Sequence, residues 1–385
     1  MKIGVPSEVV AGEKRTPLIP PRAAQLIEQG HEVAVTAGGG TAAGWSDAAF
    51  RAAGCTVVDD RDDIFDRSDV IVQVRALGSA PTGKPEQYRN GQVVIGLLGP
   101  YDLEEETLET LAARNLTTFA LELIPRISRA QSMDALSSMA SLGGYKAAVL
   151  AAERLPKLFP MQMTAAGTIQ PADVFVVGAG VAGLQAIATA NRLGASVRAY
   201  DIRPEVKEEV ESLGGTFVEL DLEADDASDE EGHAREQDEA FYEKQRQMMN
   251  RVVGESDVVI TTAAIPGKPS PTLVTEEMID GMDSGSVIVD LAAERGGNCE
   301  PTQPDEEVTY EGVTILGPTN LPATLAHHAS QLYSTNVANF LDLVIDDGDL
   351  VIDTDDEIID STLLTHDGTV RAPHLSEAEE GEDDD

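Results

Sequence analysis

Short apolar runs recur through the first third of the chain, spaced widely enough for a helix between neighbours. "KIGVP", "EVAVTAG", "DVIVQV", "QVVIGLL" and "TTFALEL" are rich in Val and Ile and bounded by Gly, Pro or Asp, the pattern of buried strands. "RAAQLIEQG" reads as a helix that ends on Gly30. The middle repeats the alternation with "DVFVVGAG", "ASVRAYD", "GTFVEL", "DVVITTA", "GSVIVDL" and "VTILGP". Strands alternating with helices predict parallel α/β sheets, here two doubly wound, Rossmann-like domains with a ligand cleft between them.

A long helix starting near Asp134 leads into the second domain, and "ATLAHHASQLYSTNVANFLDLVI" is the return crossing. The segment "GDLVIDTDDEIIDSTLLTHDG" then packs back on the first. The expected boundaries are 1–133 with 326–374 for the first domain and 134–325 for the second. Residues 375–385, which include "SEAEEGEDDD", are expected to form a solvated acidic tail. The stretch "DLEADDASDEEGHAREQDEAFYEKQRQ" reads as an acidic loop followed by a surface helix.

Charge changes the picture. Against 27 basic residues stand 68 acidic ones, a net charge of -41. A nucleic-acid binder needs a basic face and is excluded. Regular apolar runs exclude wholesale disorder. What remains is a folded protein whose acidic surface suits a very salty cytoplasm, where at about 1 M salt the Debye length falls to about 3 Å. Cys55 and Cys299 lie far apart, which fits a reducing interior rather than a disulfide scaffold. The chain opens on a strand, "MKIGVPSE", so no signal peptide is expected. The uncharged, glycine-bearing run Val174 to Ala190 reads better as strand, glycine turn and helix than as a membrane span.

That run carries the most specific chemistry. Gly178, Gly180 and Gly183 stand in G-x-G-x-x-G spacing after a strand and at the start of a helix. The helix ends at Gly194, and a second strand ends at Asp201, 23 residues after Gly178. Together these make a dinucleotide fingerprint. Gly178 permits the tight turn, Gly180 the approach of a pyrophosphate to the helix N-terminus, and Gly183 close helix–strand packing. Asp201 accepts from the adenosine ribose and repels a 2′-phosphate, so the cofactor is NAD(H) rather than NADP(H). No metal-ligand spacing, G-x-S-x-G or P-loop is present. His327 and His328 are adjacent, fall on different sides of a helix and read as packing or surface residues.

The segment "LIPRISRAQSMDALSS" crowds arginines, a glutamine, an aspartate and serines into a strand-to-helix turn. Ser132 or Asp134 serving as an N-cap is the plain explanation; a turn that handles a polar ligand is the other.

Taken together, "PRISRAQSMD", "MTAAGT", "GAGVAGLQAIATANRLGA", "VESLGG", "ITTAAIPGKP", "SVIVDLAAERGGNCE" and "GPTNLP" resemble the NAD(H)-binding component, domain I, of proton-translocating nicotinamide nucleotide transhydrogenase, over about residues 1 to 374. Alanine dehydrogenase is the close relative; "KIGVPSE" and "GEKRTPLIP" resemble both. An amino-acid dehydrogenase of that type uses an Arg, a Lys and a His. Here Arg15 is present, the Lys position is Gln73 and the His position falls at about Leu97. The alternative reading as an alanine dehydrogenase is therefore broken at two positions. A non-catalytic NAD(H) sensor would not need to present Gln131 to a second nucleotide.

The resemblance implies that Arg126, Asp134 and Ser137 hold the nicotinamide and its ribose, and that Gln131 reaches toward NADP(H) on a partner polypeptide. It leaves Arg129 a structural role. The cofactor-binding set is completed by Val181 and Ala182 in the glycine turn, Arg203 beyond Asp201, and Ala264 in "ITTAAIPGKP". A loop at about 225 to 240 would close over NAD(H), with His233 where the family often has Tyr. The resemblance further implies a homodimer that docks on an NADP(H)-binding domain and a membrane-embedded proton channel, at the cytoplasmic face of the membrane.

A net charge of -41 destabilises a compact chain wherever screening is weak. The melting temperature is expected to rise steadily from low salt to molar KCl. A flat profile over that range would refute the salt-adapted reading of the surface.

Overall fold

The computed structural model describes residues 1–80, 83–219 and 239–371. Each apolar run quoted above contains a strand. The first third holds β1 (Lys2–Val5), β2 (Glu32–Thr36), β3 (Thr56–Val58), β4 (Val70–Arg75), β5 (Val93–Leu97) and β6 (Thr117–Ala120), of which β3 lies in none of those runs. An exposed hairpin follows, β7 (Gln162–Thr164) and β8 (Gly167–Ile169). The middle holds β9 (Asp173–Val177), β10 (Ser196–Tyr200), β11 (Thr216–Phe217), β12 (Val258–Thr261), β13 (Val287–Asp290), β14 (Glu307–Tyr310) and β15 (Val313–Leu316). The chain closes with β16 (Ile345–Asp346), β17 (Asp349–Leu350), β18 (Leu363–His366) and β19 (Thr369–Val370).

The chain divides into two compact units: Met1–Met139 with the residues from Pro322 onward, and Ala140–Leu321. The borders expected from the sequence, 133/134 and 325/326, lie a few residues away. The first border falls inside one continuous helix, Ala135–Arg154.

In the first unit the sheet order is β19-β18-β6-β5-β4-β1-β2-β3. Strands β1 to β6 are parallel in the doubly wound order 3-2-1-4-5-6, and β18 adds antiparallel to β6. In the second unit the order is β11-β10-β9-β12-β13-β15-β14, parallel except for the edge strand β14. The order reverses between β9 and β12, the place where such a fold opens a crevice beyond its strand ends.

The strands are continuous apolar runs because both faces are covered. Ile71, Val94, Val174, Val176, Val258 and Val289 have no exposed surface. In the first unit the helix Ala326–Val344 covers one face, with Phe340 edge-on to Phe119 at 5.1 Å. Its Ser330 and Ser334 hydroxyls accept the main-chain N–H groups of Thr16 (2.9 Å) and Ile19 (3.1 Å). Its Tyr333 donates to the carbonyl of Gln73 at 2.9 Å. The helix thereby secures the segment between β1 and the helix Pro20–Glu28.

One run is shorter than its hydrophobicity predicts. "TTFALEL" leaves strand geometry at Ala120 and turns through a 3-10 segment, Leu121–Leu123. That turn lets the Glu122 carboxylate accept the N–H groups of Leu98 (3.1 Å) and Gly99 (2.7 Å), just beyond β5. Glu8, beyond β1, does the same at β4, taking the N–H groups of Val74 (2.6 Å) and Arg75 (3.2 Å).

Burial pushes both carboxyl groups up to about 7, although the backbone donors favour the charged form. Glu13 raises Glu8 further and Arg15 opposes it; Arg75 lowers Glu122. Between the ordinary value of 4.5 and about 7 the folded chain therefore holds more protons than the unfolded one. These groups lose stability as pH rises through that window, and the loss is complete above it. Melting temperatures in molar KCl are expected to fall between about pH 4.5 and pH 7, and Glu122→Gln should flatten some of that slope. An unchanged slope in the variant would contradict the assignment.

Candidate functional site

The glycine turn between β9 and the helix Val181–Arg192 is built by close approach. Gly178 has φ 95°, and a Cβ there would lie 2.6 Å from Thr262 Oγ1. A Cβ on Gly183 would lie 1.8 Å from the Gly178 carbonyl oxygen, so no side chain fits. Gly180 is different. Nothing lies within 4 Å of where its Cβ would be, and no side chain caps the helix it begins. The N–H groups of a first helical turn have no intrahelical partner, and here no side chain caps them, the arrangement that receives a phosphate. Val181 is exposed and Ala182 half-buried beside it.

Sequence reasoning missed Gly144. A Cβ there would lie 1.9 Å from the carbonyl oxygen of Ala182, so the helix Ala135–Arg154 packs against this turn through bare backbone. The signal is a Gly-Gly pair inside a helical run, where glycine is otherwise costly.

Asp201 follows β10 and is buried. Its carboxylate accepts the N–H of Ala179 at 2.7 Å, and the N–H, Nε and Nη2 of Arg203, each at 2.9 Å. Hydrogen bonding to Asp201 in turn holds Arg203 more firmly protonated than a solvated arginine. A carboxylate has about four acceptor positions. A ribose hydroxyl arriving at Asp201 has to share or displace an Arg203 bond.

At the end of β13, Asp290 is fully buried. It accepts from Thr261 Oγ1 (2.9 Å), Thr302 Oγ1 (2.8 Å) and the N–H groups of Ala292 and Cys299 (both 2.9 Å). Asn298, also fully buried, bonds to the Ala263 N–H and carbonyl at 3.0 and 2.8 Å. Ala264, the next residue, is exposed. Neither Asp290 nor Asn298 stands out in the sequence, because neither belongs to a motif of known spacing.

The crowded turn at 123–138 resolves into separate roles. Asp134 is the N-cap of the helix Ala135–Arg154: its Oδ1 accepts the Ser137 N–H at 2.8 Å. Ser132 does not cap; its carbonyl takes Nδ2 of Asn336 and of Asn339, each at 3.0 Å. Arg129 forms a two-pronged pair with Asp356 at 2.7 and 2.8 Å, a structural role. Arg126 and Gln131 are exposed, and neither side chain has a hydrogen-bond or ion-pair partner among the described residues. Capping accounts for Asp134 and leaves those two unexplained.

Arg15 is already engaged. Its Nε and Nη2 grip Glu13 at 2.8 and 2.6 Å, with the two side chains only 4% and 0% exposed. Gln73 is buried, with Oε1 accepting from Tyr88 at 2.7 Å. His327 stacks on Trp45 at 4.7 Å and holds the Ala43 carbonyl through Nδ1 at 2.9 Å, a packing residue. The closing loop expected at 225 to 240 lies outside the described residues as far as 238. His233 and the acidic tail lie outside them too.

Comparison with known proteins agrees with this layout. Residues 4–143 match the family model "Alanine dehydrogenase/PNT, N-terminal domain", and residues 147–373 match "Alanine dehydrogenase/PNT, C-terminal domain". The chain is 45% identical over 377 residues to "NAD(P) transhydrogenase subunit alpha" of Cereibacter sphaeroides, covering 97% of this chain and 71% of that one. The crystal structure of a transhydrogenase from Sinorhizobium meliloti superimposes with a TM-score of 0.83 at 39% identity, over 97% of this chain and 100% of the other. Identity to an alanine dehydrogenase of Mycobacterium tuberculosis is 26%, over 98% and 96% of the two chains. The chain thus belongs to the alanine dehydrogenase/PNT family and, within it, to the NAD(P) transhydrogenase alpha subunits.

Proposed function

We propose that this chain binds NAD(H) and passes hydride directly between it and NADP(H) held on a partner domain, with proton movement coupled through a membrane subunit. The observation that carries the proposal is the pair Arg126 and Gln131. Both are exposed and unpaired among the described residues, on a turn where Arg129, Ser132 and Asp134 are committed to structural bonds.

Direct transfer between two nicotinamides takes no proton to or from the reacting carbon, so positioning is the main requirement. In this reading the glycine turn and the helix N-terminus at Val181 receive the pyrophosphate. Asp201 and Arg203 take the adenosine ribose, and Ala264 borders the other half. Arg126, Asp134 and Ser137 orient the nicotinamide and its ribose, and Gln131 faces the second nucleotide. The bound dinucleotide supplies the hydride; the residues bind and align.

The alternative, an alanine dehydrogenase, is disfavoured by chemistry. A substrate carboxylate needs an available cation, and Arg15 is buried against Glu13. Gln73 and Leu97 offer no group to move a proton at that place.

Self-association as a homodimer is supported by the β7–β8 hairpin. Its residues are exposed, Met163 by 76%, and a lone two-stranded hairpin is marginal in water. Attachment to a membrane would run through partner subunits, since no helix among the described residues is long and apolar enough to cross one.

Three outcomes are expected. NADH should bind well and NADPH poorly in fluorescence titrations, and Asp201→Ala should weaken NADH by about 1 to 2 kcal/mol; equal affinities would sink the nucleotide assignment. The chain alone should not oxidise NADH with pyruvate and ammonia, and should gain transhydrogenation when mixed with an NADP(H)-binding partner; robust alanine dehydrogenase activity would favour the alternative. In that reconstituted system Gln131→Ala should leave NADH affinity nearly intact yet slow single-turnover transfer, since a misplacement of about 1 Å can cost about 100-fold. Wild-type transfer in Gln131→Ala and Arg126→Ala would leave the turn as a helix cap only.

A further inference from the structure

Between β12 and residue 274 runs a segment that crosses the carboxyl end of the second sheet. Its central residues, Ala264 to Pro269, are all exposed, yet both ends are fastened by one buried side chain and its own backbone. Asn298 Oδ1 accepts the Ala263 N–H at 3.0 Å, and Nδ2 donates to the carbonyls of Ala263 (2.8 Å) and Pro271 (2.9 Å). The Asn298 carbonyl accepts the N–H groups of Leu273 (2.8 Å) and Val274 (2.9 Å). Both amide hydrogens and the amide oxygen of this side chain are thus committed to one loop. Asn298 is itself held, because the adjacent Cys299 N–H is anchored on the buried Asp290 carboxylate.

Topology says which half of a dinucleotide this loop would border. A dinucleotide lies across the point where strand order reverses, here between β9 and β12. Asp201 follows β10, so the adenosine half belongs over β9 and β10 and the other mononucleotide over β12 and β13. We infer that Asn298 is a positioning residue: it keeps the segment Ala263–Val274 as a preformed rim for the nicotinamide half of NAD(H), without touching the nucleotide. The inference rests on the reading of the glycine turn as an NAD(H) site. An exposed loop ordered only on binding would weaken affinity by the cost of ordering it; a loop ordered beforehand avoids that cost.

The test uses the full chain and two probes, NADH and AMP, titrated by calorimetry. AMP engages the Asp201 side alone. Asn298→Ala and the milder Asn298→Ser should raise the Kd for NADH about tenfold or more while moving that for AMP by no more than about twofold. Equal losses for both probes, or none for either, would overturn the inference. Should both variants fail to fold, hydrogen exchange on the wild-type chain decides. The Ala263 amide should be protected by at least about a hundredfold without nucleotide, and exchange at the rate of an open loop would overturn preorganisation. A wild-type chain that binds neither probe sinks the glycine-turn reading itself, a result distinct from Asn298 variants that bind both probes normally.

Discussion

Carboxylates that collect main-chain N–H groups organise the carboxyl edges of both sheets. Glu8 gathers two N–H groups at the end of β4, and Glu122 two just beyond β5. Asp201 gathers one from the glycine turn and one from Arg203, and Asp290 two from the loop after β13. The problem they solve is general. A parallel strand that stops must leave donors pointing at no partner, and a buried unpaired donor costs about 1 to 3 kcal/mol. A short acidic side chain can satisfy two such donors at once and fix the loop that carries them. Hydroxyls complete the set at Asp290, through Thr261 and Thr302.

Much of this could be read from the chain. Val- and Ile-rich runs located β1, β2, β4 to β6, β9, β10, β12, β13 and β15, because strands buried on both faces leave a continuous apolar signature. The glycine spacing placed the turn, because only glycine survives approaches of 1.8 and 2.6 Å. What escaped has physical reasons. β3 is three residues long, and β14 alternates with polar residues at a sheet edge, so neither has an apolar run to announce it. The strand expected through "TTFALEL" ends early because Glu122 serves a neighbour 23 residues away, a contact no local pattern contains. Among the candidate site residues, Asp134 could be read as a cap from its place before a helix. The occupancy of Asp201 by Arg203 could not be read, since it is a matter of rotamers.

Close packing and openness alternate within a few residues of the glycine turn. Gly144, Gly178 and Gly183 are each pressed against backbone or a hydroxyl, while Gly180 faces free space. The tight contacts fix how the helix meets the turn, and no side chain stands at Gly180. A methyl group at any of the three would force its neighbours to shift, whereas one at Gly180 would meet nothing within 4 Å.

The two sheets share the strand order 3-2-1-4-5-6 across their parallel strands, so the first also reverses direction, between β1 and β4. At the equivalent place beyond its strand ends stands the segment after β1, with Glu8 bonded to β4 and Arg15 locked on Glu13. Beside the one reversal lies the space at Gly180 that no side chain enters, and beside the other stand charged side chains bonded to a strand end. The same winding therefore carries glycines in one unit and bonded charges in the other, and the difference lies in the few residues after the first strand of each.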